Sequence, residues 1–217
     1  MKGVRALEQS WLRVRRLAER HPGDWEGQDL VGEAPLRVFV GERAPRRVLV
    51  VTKEAVLRRW ERPDWPAGLV VVVACGMLTR AQAGVLGGLA GDTSVPIAFV
   101  GDADPMGLHT FLCLRGHLGA QRVRFCGICD AVLDIIGDKR AQPESLETLK
   151  LSAFDQAHLR VVATLAKLDQ VLGPRVSAVL RNGKKIEIEA LGFRADLMIP
   201  ALFKAALKLA TAQRARL

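Results

Sequence analysis

The sequence predicts an α/β fold built on a mostly parallel sheet with helices on both faces, and three observations carry that expectation. Short, unbroken apolar runs recur: RVLVV at Arg47–Val51, LVVVVA at Leu69–Ala74 and PIAFVG at Pro96–Gly101. Strands covered on both faces read this way, without polar alternation. Stretches with helical apolar spacing separate the runs, and alternation of strand with helix is the pattern of a parallel sheet under helices. Gly, Asp and Pro gather immediately after the third run, where a strand-to-helix turn needs them.

Taken in order, Val4–Arg20 places Val4, Leu7, Trp11, Val14 and Leu17 near helical spacing among Arg, Glu and Gln, which predicts a basic amphipathic helix. His21-Pro22-Gly23-Asp24 ends it. Leu36–Val40 reads as a short strand, Arg47–Val51 as a buried one and Lys53–Glu61 as a helix. After Leu69–Ala74, Thr79 is a candidate N-cap for a helix running to Ala90. Met106–Leu118 reads as the next helix and Arg122–Gly127 as the next strand. Asp138–Thr148 is polar and Pro-containing, a surface excursion. Phe154–Leu172 has the pattern of one long helix stopped by Gly173-Pro174. Val176–Leu180 reads as a helical turn, Arg181-Asn182-Gly183 as a turn, and Pro200–Leu217 as a final helix bearing Lys204, Lys208, Arg214 and Arg216. Residues 1–45 form an N-terminal extension and residues 46–217 the main domain.

Of 217 residues, 49% are apolar and 25% charged, which excludes wholesale disorder. Lys plus Arg number 32 against 23 acids, a formal charge of +9 that favours a polyanionic partner. No stretch has the character of a signal peptide, and the longest apolar run is far short of the roughly 20 residues a bilayer needs. A cytoplasmic, DNA-associated protein with no membrane contact is therefore expected. Cys75 and Cys113 stand alone; Cys126 and Cys129 form one C-x-x-C without a second ligand pair, so buried thiols are expected rather than zinc. There is no tyrosine, so these residues supply no phenolic nucleophile.

In a parallel sheet, ligands gather at the carboxyl ends of the strands. Thr52, Lys53 and Glu54 follow one strand there, and Gly101-Asp102-Ala103-Asp104-Pro105 follows another. Asp102 and Asp104, one residue apart on a tight turn, could converge on Mg2+; they could equally serve as turn and helix-cap residues. Glu187 and Glu189 alternate with Ile186 and Ile188 and read as the acidic face of a strand. His109 reads as a packed or capping residue, and the four tryptophans as core or interface anchors.

Several blocks, in order, resemble a known family. Arg47–Trp60 (RVLVVTKEAVLRRW) resembles the strand-to-helix opening of a Toprim domain, in the version found in the A subunit of topoisomerase VI and the related meiotic double-strand-break proteins. Leu69–Leu89 resembles that family's strand, Gly-containing loop and Thr-Arg helix. Val95–Gly107 (VPIAFVGDADPMG) resembles its Asp-x-Asp-Pro-x-Gly signature, and Gly183–Leu191 (GKKIEIEAL) its late Lys-x-Glu-x-Glu-Ala-Leu segment. The resemblance spans about residues 46 to 210 and implies a Toprim-like, Rossmann-like sheet, DNA as partner and Mg2+ as cofactor.

Two departures bear on activity. The family's metal-binding glutamate falls on Thr52, a poor ligand, so the Mg2+ site implied at Asp102 and Asp104 is weakened unless Glu54 reaches it. The family's tyrosine belongs to an upstream winged-helix domain, whereas about 45 residues precede the match here, fewer than that domain needs. The expectation is a stand-alone Toprim-like DNA-binding protein, a subunit or accessory factor without its own tyrosine. A protein partner would supply the winged helix and tyrosine or an ATPase, and a homodimer is compatible with it. Lys53, Arg58, Arg59, Lys184 and Lys185 are the expected DNA contacts. Two rival readings stand beside it: a metal-dependent nuclease or phosphoryl hydrolase using Asp102, Asp104 and Glu54, and a non-catalytic interaction module with a degenerate metal site.

Overall fold

A computed structural model of the chain describes residues 36–40, 45–60, 65–74, 76, 78–90, 95–192 and 198–212, together with positions 9, 13, 16 and 20. Those four isolated positions are helical and exposed, as the N-terminal pattern predicts; the rest of that helix, with Trp11, Trp25 and Cys75, lies outside the described residues.

Five strands form the main sheet: β1 (Arg37–Val40), β2 (Arg47–Val51), β3 (Leu69–Val73), β4 (Ile97–Val100) and β5 (Val123–Phe125). Their order across the sheet is β1-β3-β2-β4-β5. β1 runs antiparallel to β3, while β3, β2, β4 and β5 are mutually parallel. The fold is therefore α/β with a mostly parallel sheet flanked by helices. Its central strands explain the unbroken runs: Val48, Leu49, Val50, Val51, Val71, Val72, Ile97, Ala98, Phe99 and Val100 are all fully buried. No polar residue could occupy such positions without losing its hydrogen bonds to water.

Short helices connect the strands. α1 (Glu54–Leu57) is a single turn, shorter than the helical spacing of Lys53–Glu61 predicts. α2 (Arg80–Leu89) starts at Thr79, whose hydroxyl accepts from the Gln82 amide while the Gln82 side chain returns to the Thr79 amide. That reciprocal cap confirms the expected start. α3 (Pro105–Leu118) opens on Asp104 and α4 (Asp130–Ile136) follows β5. Residues 139–145 hold two 3-10 turns, consistent with an irregular excursion.

The expected long helix over Phe154–Leu172 is two helices, α5 (Ala153–Leu165) and α6 (Leu168–Leu172), because Ala166 turns extended (φ −152°, ψ 150°). No Gly or Pro marks the break; Leu168 and Leu172 are buried on the far side of it, so tertiary packing overrides the local pattern. α7 (Pro174–Arg181) follows, its first amides capped by the Asp130 carboxylate, which accepts from Arg175 N (2.9 Å) and Val176 N (3.0 Å). Gly173 is obligatory there: its φ is +83°, and a Cβ would lie 2.4 Å from Asp130 Oδ2. A two-stranded ladder, β6 (Leu149–Lys150) with β7 (Lys184–Lys185), leads to the short α8 (Glu189–Gly192) and to α9 (Met198–Ala212).

Among the described residues Trp60, Cys113, Cys126 and Cys129 are core material, as expected, and Trp65 packs at its edge. Trp60 stacks on Phe203 of α9 at 4.9 Å between ring centres, and Trp65 packs on Trp60 and Phe39. Cys113, Cys126 and Cys129 are free and buried; burial pushes the Cys113 thiol up to about 12 and the Cys129 thiol to about 11, so neither is a nucleophile at neutral pH. Among the described residues no helix is long and apolar enough to cross a membrane.

His109 is packed, with a partner not foreseen from the sequence. Its Nδ1 lies 3.0 Å from Nε2 of His158, joining α3 to α5 at a point where both rings are fully buried. Burial lowers His109 to about 4, and burial with the neighbouring imidazole lowers His158 to about 3. The unfolded chain then binds protons that the folded chain refuses, so this pair's stability is complete above pH 6.5 and is lost as pH falls toward 4. Urea midpoints should drop between about pH 7 and about pH 4, and His158→Leu should flatten that dependence. An unchanged slope in the variant would show that other groups govern acid unfolding.

Candidate functional site

The order of the strands locates a crevice. The chain leaves β2 toward β3 on one side, then crosses back to β4 on the other side. The carboxyl ends of β2 and β4 therefore flank the point where the order reverses, which is where parallel sheets open a ligand crevice. Lys53 and Asp102 lie there.

Glycine makes the crevice edge. The Cys126 amide bonds to Phe99 O (2.7 Å) and the Ile128 amide to Gly101 O (3.2 Å), drawing residue 127 against the end of β4. A Cβ on Gly127 would fall 1.9 Å from Gly101 O and 2.6 Å from Gly101 N. Only a glycine lets these backbones touch, and that contact sets the path into Asp102.

Asp102 is 7% exposed. Its Oδ1 accepts from the Ile188 amide at 2.8 Å, and its Oδ2 lies 3.0 Å from Lys53 Nζ. The same ammonium reaches Glu189 Oε2 at 2.7 Å and Glu187 Oε2 at 3.4 Å. Three carboxylates from two distant parts of the chain thus converge on one lysine. The expected acidic strand face is real in its alternation, since Ile186 and Ile188 are fully buried. Its backbone differs, because β7 ends at Lys185 and α8 begins at Glu189. A backbone bridge between Ala103 and Ile186 clamps this segment to the Asp-x-Asp turn.

Asp104 takes the cap role. Its Oδ1 accepts from the Gly107 amide at 2.6 Å, and Pro105 occupies the first turn of α3. A Cβ on Gly107 would fall 2.8 Å from Asp102 O, so Gly107 lets the turn close on the helix. Lys185 lies 3.6 Å from Asp155 and 3.8 Å from Glu187. Two ammoniums, Lys53 and Lys185, therefore face five carboxylates: Asp102, Asp104, Asp155, Glu187 and Glu189.

That imbalance is felt in the protonation equilibria. Burial and the Asp104 charge push Asp102 up to about 7, against the pull of Lys53 and the Ile188 amide. Burial likewise raises Asp104. For Lys53, burial disfavours the ammonium, but Asp102 and Glu189 outweigh it and hold its pKa above the usual lysine value. The lysine stays charged, and Asp102 takes up a proton near neutral pH, where an isolated aspartate would be fully ionised.

Glu54 does not join. Lys53 is still extended and points into the crevice, whereas Glu54 begins α1 and lies against Arg37 Nη1 at 2.8 and 2.7 Å, with Arg58 at 3.6 Å. Thr52, at the position the resemblance assigns to a metal glutamate, has a buried hydroxyl oxygen without a hydrogen-bond partner. Among the described residues no group of three or more His, Cys, Asp or Glu is placed to hold a metal ion. The donor set does not fit the Mg2+ that the resemblance implies: the cation among these carboxylates is an ammonium from the chain itself.

Of the other expected DNA contacts, Arg58, Arg59 and Lys184 are exposed, while Lys185 is half-buried in its ion pairs. Sequence reasoning missed the meeting of Glu187 and Glu189 with Lys53, although the Ile-Glu-Ile-Glu alternation signalled one shared direction for the two acids.

Comparison with protein-family models and with curated proteins returns no match for this chain.

Lys53→Met would leave Asp102, Glu187 and Glu189 facing one another. The expected loss is about 3 kcal/mol at about pH 8, the low end for breaking a buried ion pair because both glutamates are about one-third exposed. The deficit should narrow as pH falls to about 5 and Asp102 takes a proton. Parallel urea titrations at the two pH values check this, and an equal deficit at both would show that Lys53 does not act through these carboxylates. Millimolar Mg2+ should leave the wild-type melting temperature unchanged; a rise abolished by Asp102→Asn would show that the cation displaces Lys53.

Proposed function

We propose that this chain is a stand-alone Toprim-like DNA-binding protein related to the topoisomerase VI A subunit, acting as a subunit or accessory factor that does not cleave DNA itself. The observation that carries this reading is the closed crevice: the Asp-x-Asp turn lies at the reversal point of a mostly parallel sheet, and Lys53 fills it. The position suits a Toprim-like fold, and the occupant suits a module that has exchanged metal chemistry for an internal ion pair. The 217 residues contain no tyrosine to form a phosphodiester intermediate, so in this reading a tyrosine nucleophile would come from a partner. A formal charge of +9 supports DNA as the polyanion bound.

The hydrolase reading needs carboxylates free to hold a metal ion that activates water and grips the substrate. Asp102 is held by Lys53 and Ile188, Asp104 by Gly107, and Glu54 by Arg37. The same placements favour the module with a degenerate metal site, which this proposal incorporates.

Filter binding of duplex DNA at low salt should show retention with or without Mg2+, and weakening as salt rises. Supercoiled plasmid should stay intact under Mg2+ or Mn2+. Absence of DNA affinity at low salt in both conditions would overturn the proposal, and nicking that disappears in Asp102→Ala would establish the hydrolase instead.

A further inference from the structure

Phosphate has poor reason to enter the crevice, where two ammoniums face five carboxylates. If the protein binds DNA as proposed above, its phosphate contacts lie elsewhere. One groove among the described residues offers cations for them. Arg13, Arg16 and Arg20 of the N-terminal helical stretch and Arg160 of α5 surround a groove of about 370 Å3, whose remaining lining is Ala157 and Val161.

Of the six described lining residues four are arginines, and none of the six is an acid. Other arginines of the molecule are neutralised. Arg37, Arg140, Arg175 and Arg181 each lie on a carboxylate: Glu54, Asp138, Asp134 and Asp169. Arg13, Arg16, Arg20 and Arg160 have no ion-pair partner among the described residues, and all four are exposed. Cations brought together without counter-charge repel one another unless an anion joins them. Arginine is the side chain whose planar fork matches phosphate oxygens in pairs.

The spacing suits a polyanionic strand. Positions 13, 16 and 20 are separated by three and four residues, so they lie on one face of the helix. At about 1.5 Å per residue they extend over about 10 Å, the axial rise of about three nucleotides at about 3.4 Å each. Arg160 faces them from the second helix. Ala157 and Val161, one turn apart on α5, are half-buried and short, leaving the floor low between the guanidiniums. Among the described lining residues the apolar side chains are only Ala157 and Val161, short beside the large ones an anionic membrane would ask for.

We propose that the groove formed by Arg13, Arg16, Arg20 and Arg160 is a phosphate-backbone binding site for nucleic acid, and that it supplies the main DNA contact of the protein. This rests on the DNA-binding reading and assigns it a surface away from the crevice.

The test uses the full chain, a fluorescein-labelled duplex of about 20 base pairs and anisotropy titrations from about 50 to about 200 mM NaCl. Replacing all four residues by Gln should lower affinity at least about tenfold at the lower salt. It should also reduce the slope of log K against log salt by about 3 to 4, at about 0.9 for each phosphate that is no longer neutralised. Arg160→Glu alone should reduce the slope by about 1 or more. Both variants change exposed side chains, so circular dichroism and melting temperature should match the wild type. A wild-type chain that binds no duplex overturns the DNA reading, and the groove assignment with it. A wild type that binds, with both variants binding equally well and with the same slope, overturns the groove assignment alone. So does a variant that loses binding to phosphatidylserine vesicles while retaining its DNA affinity.

Discussion

A carboxylate taken out of water loses hydration worth several kcal/mol, and it stays in place only if fixed donors and an opposite charge come with it. Asp102 meets that demand with two groups that are remote from it in sequence: the Lys53 ammonium at the end of β2 and the Ile188 amide near the start of α8. Each depends on the others. Without Asp102, the Ile188 amide would be buried without an acceptor; without the 186–189 segment, Lys53 would have one carboxylate rather than three. This polar knot joins β2, β4 and the chain after the second ladder, and it does so where the hydrophobic layers stop.

The surrounding backbone is shaped to bring the knot together. Gly127 allows the loop after β5 to rest on Gly101, and Gly107 allows the first turn of α3 to close over Asp102. The Ala103–Ile186 bridge extends the ladder of β6 and β7 up to the crevice. Buried ion pairs seldom add net stability over a well-packed apolar alternative. Their value here is positional: a carboxylate aimed at an ammonium accepts few arrangements, whereas Val and Leu accept many. The sheet supplies the energy and the knot fixes how the C-terminal third docks on it.

How much of this was legible in the sequence follows from the range of each interaction. The strands were readable because burial on both faces forbids polar residues, so Arg47–Val51, Leu69–Val73 and Ile97–Val100 announce themselves locally. The cap at Thr79 and the turn at Asp104 were readable for the same reason, since their partners are three residues away. The break at Ala166 was not, because nothing nearby opposes a helix and the decision lies in the burial of Leu168 and Leu172. The site was half legible. Strand ends and the Asp-x-Asp turn pointed to Lys53, Asp102 and Asp104. The destination of Glu54 depended on Arg37, 17 residues back, and that of Glu187 and Glu189 on Lys53, 134 and 136 residues back. His158 escaped notice for a like reason, its partner being 49 residues distant.

A lysine among carboxylates differs from a metal ion held by carboxylates in what it offers a phosphate. A divalent cation held by two carboxylates still presents open coordination positions to a phosphate, so an acidic turn becomes a phosphate site once the metal is bound. An ammonium whose three donors are satisfied by three carboxylates presents none. With five carboxylates against two ammoniums, the crevice as built repels a polyanion over the range of a Debye length, about 8 Å at physiological salt. The protein nevertheless carries a formal charge of +9. With Lys53 and Lys185 committed to the crevice, the proposed phosphate contact falls to cations that have no carboxylate beside them among the described residues, and Arg13, Arg16, Arg20 and Arg160 are such a group. Among the described residues, charge is thus segregated: carboxylates outnumber ammoniums at the sheet edge, while arginines without a carboxylate beside them meet in the groove between the N-terminal helical stretch and α5.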